Sequence, residues 1–193
     1  MRTYRTYFAT ILLLMGSAAW AAGRQTEAKS GPTGQQTQPS TAPVVQPMQP
    51  YTSSDGRFFV QFPGVEVKHD TQPISLQGTD TSTLYEFWTE SADGNVSYMV
   101  MYNDYPAQYA NDGSDAVLAR TRDGATKGKT LLSDMAISLN GVPGREFTAK
   151  DDTWNFTVRQ FLSGKRLYQL IIVSKPSAPA TQTSDFLNSF KIQ

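Results

Sequence analysis

Short apolar runs separated by turn residues dominate the chain from residue 57 onward. Asp55-Gly56 signals a turn, and a strand over 57–62 follows, stopped by Pro63-Gly64. A weaker strand pattern covers 65–69. Strands over 84–89 and 96–102 flank Asp93-Gly94-Asn95, a good hairpin connection. Ser114 is placed to cap a helix running from 115 to about 126, with Val117, Leu118, Thr121 and Ala125 on one face and Gly124 weakening it. Strands over 135–139 and 145–150 then flank Asn140-Gly141. Two more, 154–162 and 166–173, flank Ser163-Gly164-Lys165. Phe186, Leu187 and Phe190 stand at helical spacing in a closing helix over 181–190.

Two of these strands are apolar at nearly every position rather than at alternate ones: Tyr98-Met99-Val100-Met101-Tyr102, and Leu167 through Val173. A strand with one wet face would alternate, so both are read as central and covered on two sides. Hairpin connections make the sheet antiparallel. With one helix ahead of Lys127 and another after Thr181, the expected class is α+β, a three-layer α/β/α sandwich around a mostly antiparallel sheet.

The first fifty residues follow a different pattern. Arg2 and Arg5 precede an apolar stretch from Phe8 to Ala19, within the roughly 7–15 residues of a signal-peptide core and short of the about 20 a membrane span needs. Ala19-Trp20-Ala21 puts small residues where a signal peptidase reads, so cleavage is expected between Ala21 and Ala22. Residues 1–21 are thus read as a signal peptide and the mature chain as having no membrane span. Gln, Thr, Pro, Ser and Gly fill residues 22–50, too polar to offset the entropy of ordering, and this segment reads as a disordered linker. Residues 51–193 are the expected globular domain, large enough for one core.

Charge and cysteine content narrow the function. The 17 basic residues balance 17 acidic ones, and removal of the leader makes the remainder slightly acidic. No basic patch offers counterion release from a phosphate backbone, which disfavours nucleic acid as a partner. Without cysteine there is no disulfide, no thiolate nucleophile, no thiolate zinc site and no lipid attachment after the leader. The reading is an exported protein, periplasmic or extracellular, that needs no cofactor.

The runs SLNGVPGRE, RQFLSGKRLYQLIIV and FLNSFK, with DGRFFVQFPG and YNDYP, resemble the exported bacterial branch of the PsbP-like proteins. That resemblance covers most of residues 55–191. It implies the fold shared by the extrinsic photosystem subunit and Ran-binding Mog proteins, an antiparallel sheet between helices. It implies no reaction, since the matching motifs are turns, strand edges and a docking helix. Family members with known roles mostly bind or stabilise protein partners. The photosystem subunit's part in retaining metal and chloride does not carry over, because no residues for it are matched here.

Motifs that could carry chemistry are sparse. His69 is the single histidine, and Asp70 beside it points to the opposite strand face, a poor position from which to orient a catalytic base. Gly128-Lys129-Thr130 resembles the end of a phosphate loop, but Asp123 occupies the place of the first required glycine, so the triplet reads as a helix end and loop. Asp151-Asp152 reads as a polar turn rather than a calcium site. Asn95 and Asn155 begin glycosylation-type triplets taken as chance matches. A paired-carboxylate hydrolase would draw on Asp104, Asp151 and Asp152, and a small-ligand carrier would need an apolar cavity between helix and sheet. The preferred expectation is a non-enzymatic module acting through a protein partner. Tyr102, Asp104, Tyr105 and Tyr109 form the candidate partner-binding surface, because tyrosine is a usual interface anchor, although the favoured reading of these aromatics is that they complete the edge of the core beneath the helix with polar tips reaching water.

Overall fold

A computed structural model describes residues 45–76, 80–110 and 112–193. The expected signal peptide and nearly all of the expected linker lie outside the described residues. Successive hairpins build a seven-stranded antiparallel sheet in the order β3-β4-β5-β9-β8-β7-β6. Its members are β3 (Lys68–Ser75), β4 (Thr81–Glu90), β5 (Val96–Asp104), β6 (Thr130–Leu139), β7 (Val142–Lys150), β8 (Asn155–Ser163) and β9 (Arg166–Ser174). The two continuously apolar runs are β5 and β9, which pair with each other in mid-sheet, as their two-sided burial requires.

The layers on either side overturn the expected three-layer α/β/α sandwich. One face carries Phe87, Val100, Tyr102, Phe161, Tyr168, Leu170 and Ile172, and it meets a second sheet in the order β1-β2-β10. That sheet consists of β1 (Met48–Ser53), β2 (Phe58–Pro63) and β10 (Lys191–Ile192). Phe58, Val60 and Phe62 of β2 fill the interface, and a seven-residue helix, Thr183–Ser189, adds Phe186 and Leu187 beside it. The opposite face carries the helix Ser114–Thr126, whose Val117 and Leu118 pack on Leu162 and Leu167 and whose Ala125 joins the buried cluster of Met99, Met101, Phe147 and Ile171. Strand thus dominates, in two packed sheets.

The expectation failed because β1 lies in a Gln- and Pro-containing segment that carries no strand periodicity, and β10 is two residues long. Neither would form alone. β2 pairs antiparallel with both, Met48 opposite Pro63 on one edge and Lys191 opposite Phe59 on the other. Order accordingly begins ahead of residue 51: Gln182 receives the Gln46 N–H on its side-chain oxygen at 3.0 Å and donates back to the Gln46 carbonyl at 2.8 Å.

Helices are numbered α1 (Ala107–Ala110), α2 (Ser114–Thr126) and α3 (Thr183–Ser189). Ser114 does not cap α2 through its side chain. Gly113 precedes the helix at φ 84 and its carbonyl accepts the Val117 N–H at 3.2 Å. The Asn140-Gly141 turn is as the sequence reads, with φ 51 and 84 as a type I′ turn demands. Leu139 pairs directly with Val142, so the turn has two residues and Pro143 and Gly144 belong to β7. Gly144 is required for a different reason: a Cβ there would lie 2.6 Å from the Gln160 carbonyl oxygen and inside contact distance of the Phe161 ring.

Candidate functional site

The predicted aromatic surface is largely interior. Tyr102 is 2% exposed. Its ring stacks on Tyr85 with centroids 4.5 Å apart and lies 4.7 Å from the Arg166 guanidinium, and burial pushes its hydroxyl up to about 12. Such a group cannot face a partner. Asp104 is committed to Arg166, which donates from Nε and Nη2 to its two oxygens at 2.7 and 3.0 Å. That forked bond first, and the guanidinium charge second, hold its carboxyl below the usual carboxylate range despite partial burial. Arg166 also donates to the Asp55 carbonyl at 2.7 Å, tying the large sheet to the loop before β2.

Tyr105 is half-buried against Val117, Leu118, Leu162 and Leu167, with its hydroxyl 3.4 Å from Thr121 Oγ1. Tyr109 is half-buried as well, its ring 5.9 Å from that of Tyr105. The structure therefore brings Tyr105 and Tyr109 together as a brace between β5 and α2. Tyr102 and Asp104 belong to a separate clasp around Arg166.

Candidate catalytic groups are dispersed. Asp104 pairs across from Arg166 at the first residue of β9, whereas Asn155, just beyond the Asp151 turn, pairs with Ser174 at its last. Nine strand residues separate these ends by about 27 Å, too far for paired carboxylates, which need roughly 5–9.5 Å. Asp151 instead caps its turn, accepting the Thr153 and Trp154 N–H groups at 2.8 Å. It borders a polar hollow of about 600 Å³ with Lys129, Lys150 and Asp152. Lys129 lies 5.0 Å from the Phe156 ring, and burial lowers its amine below the ordinary lysine range. The lining is polar and open, unlike the apolar enclosure a lipid-like ligand requires. His69 is exposed on β3, its ring 6.4 Å from Phe87.

The feature that stands out was not among the expected site residues. β6 forms one outer edge of the large sheet, and it carries three exposed large apolar side chains: Leu131 at 41%, Leu132 at 56% and Met135 at 52%. Its only charged residue is Asp134, and that charge is internal. Arg145 Nε donates to Asp134 Oδ1 at 2.5 Å, Arg145 Nη2 donates to Oδ2 at 2.9 Å, and Arg122 of α2 closes on the same carboxylate. Arg145 first, then Arg122, hold the Asp134 carboxyl below the usual carboxylate range. A bulge interrupts pairing between Leu131 and Ser133, after which Ser133–Leu139 runs in regular register with β7. The tight turn closes on the Leu139–Val142 pair. Ladder bonds alternate from there, so the N–H groups of Ser138, Ala136 and Asp134 face away from the sheet. The sequence signal for this edge was present in Thr130 to Leu139, an apolar run with one charge, but periodicity alone does not say which strand is outermost.

No protein-family model matches the chain. No curated relative matches it either. Among solved structures, the chain is similar to cyanobacterial PsbP (CyanoP) from Synechocystis sp. PCC 6803, with 14% identity and a TM-score of 0.49 over 84% of this chain and 100% of that one. A protein from Bacteroides thetaiotaomicron is similar at 10% identity and a TM-score of 0.38, covering 75% of this chain and 48% of its own. A Pseudomonas aeruginosa protein of unknown function, described as a putative regulator, is similar at 12% identity and a TM-score of 0.36, over 68% of this chain and 85% of that one. Likenesses of this size assign this chain neither a family nor an activity.

Proposed function

We propose that this protein is an exported, non-enzymatic binding or accessory module that acts through a protein partner, and that the partner supplies a β-strand along β6. One observation carries the reading: a ten-residue outer strand that has no partner strand on its far side among the described residues and that exposes Leu131, Leu132 and Met135. Strand addition at such an edge draws affinity from main-chain hydrogen bonds and specificity from alternate side chains. The test places a photo-crosslinking amino acid at Leu132 and, separately, at Gln72 on β3, in the native host. Protein adducts are expected from Leu132 alone. No adduct at Leu132, or equal labelling from Gln72, overturns the reading.

A further inference from the structure

We infer that the strand supplied to β6 is β6 of a second copy, so that two sheets join edge to edge about a two-fold axis; this rests on the reading of β6 as a docking edge. Charge is the first argument. Antiparallel self-pairing sets like residues near like, and free charges on the strand would repel. Between Thr130 and Leu139 the sole charge, Asp134, is held by Arg145 and by Arg122, whose second partner is Asp123, so the cluster balances and two copies meet without that penalty. An uncharged edge also offers no electrostatic complement to a charged foreign strand, whereas Leu131, Leu132 and Met135 of one copy suit the same residues of another.

The opposite edge of the sheet supplies the second argument, because it decides whether such pairing closes. β3 carries Lys68, His69 and Asp70. Leu76 donates its N–H to the Asp80 carbonyl at 2.8 Å where the β3–β4 connection closes, and alternation from that bond turns Ser75, Pro73, Thr71 and His69 outward. Pro73 has no N–H, and that of Thr71 is taken by Asp70 Oδ1 at 2.9 Å. The large sheet therefore has one receptive edge and one whose two central outward donors are lost. A head-to-tail contact of β6 on β3 would propagate into a fibre, and the two missing central donors of β3 disfavour it. The isologous β6–β6 contact uses both receptive edges and stops at two copies.

Sedimentation of the purified protein between about 1 μM and about 1 mM tests the inference. The wild type is expected to reach the dimer mass. Ala136→Pro, which removes an outward N–H, is expected to lose the dimer, and Gln72→Lys on β3 to keep it. Should Ala136→Pro fail to fold, the double variant Leu132→Lys/Met135→Lys decides, since both side chains are already exposed. The chain lacks cysteine, so Leu132→Cys and Thr71→Cys can each be treated with a short bismaleimide. Covalent dimer is expected from the first only. A dimer that survives the folded β6 variants, or that crosslinks through Thr71→Cys, overturns the inference. A monomeric wild type whose Leu132 photo-crosslinker captures a different protein overturns it while the docking reading stands. A monomer that gives no adduct removes both.

Discussion

At β3 the two central outward donors are lost within the strand itself: proline removes one, an aspartate side chain takes the next, and nearby Lys68 pairs with Glu90 of β4 at 3.0 Å. At β6, on the far side of the same sheet, the donors of Asp134, Ala136 and Ser138 are left outward and the one charge is drawn inward by two arginines. Edge strands of soluble proteins usually carry the first set of devices, since an open edge invites pairing. β6 has only a bulge near its start. The contrast teaches that an unprotected edge is best recognised by comparison with its opposite number in the same molecule, where solvent and composition are shared.

Four measurements break or sharpen that contrast. Gly144→Val drives a branched side chain into the Gln160 carbonyl and the Phe161 ring beneath the β6–β7 hairpin. It should cost about 3 kcal/mol, read as a fall in the urea midpoint, and should expose β6 amides to hydrogen exchange while β3 amides keep their protection. An unchanged midpoint would mean β7 is free to shift and does not hold the open edge in place.

Asp134→Ala takes the shared carboxylate from Arg145 and leaves Arg122 with Asp123 alone, the two guanidiniums each about a fifth exposed. A loss of about 2 kcal/mol is expected, below the roughly 3–5 of a fully buried broken pair because solvent still reaches the site. The wild-type carboxyl is depressed in the folded state. Its contribution is therefore complete above the unfolded value of about 3.9 and is lost as pH falls through the lower folded value. Urea midpoints of the wild type should drop more steeply than those of Asp134→Ala below about pH 4; parallel curves would show the ion pair to be energetically silent.

Midway between the edges, Gln169 is 0% exposed and neither its side-chain oxygen nor its nitrogen has a hydrogen-bond partner among the described residues. Gln169→Leu should raise stability by about 1 kcal/mol and leave the behaviour of both edges alone. A drop in thermal midpoint would refute it.

The smallest change in folding stability, within about 0.5 kcal/mol, is expected from Asp70→Ala combined with Pro73→Val. These substitutions restore two donors on β3 and give the sheet two receptive edges. Light scattering should then grow with time and concentration, where the wild type stays at a fixed size. A doubly opened protein that does not grow would show that blocked donors are not what silences β3.

Much of the sheet was legible beforehand. Turn chemistry identifies the Asn140-Gly141 hairpin, because only residues tolerant of positive φ fit it. Two-sided apolarity places β5 and β9 at the centre. The candidate site was not legible. Tyr102 and Tyr105 read both as core-edge residues and as candidate interface anchors, because tyrosine serves in either place, and only their packing against Tyr85, Arg166 and α2 separates the two roles. The same holds for Asp104, whose partner Arg166 lies on a strand remote in sequence.

What the sequence determined by itself is local: which runs are strands, where the turns fall, that thiol chemistry is absent, and that the Asp151-Asp152 pair is a turn. Local rules suffice there because backbone sterics, turn geometry and hydrogen bonding within a few residues decide them. Tertiary structure alone decided the second sheet, since β1 and β10 exist only by pairing with β2. It also decided the two edges. Whether a strand is central or outermost depends on which other strands have found it, and no residue within Thr130 to Leu139 records that, among the described residues, β7 has a neighbour on its far side while β6 has none.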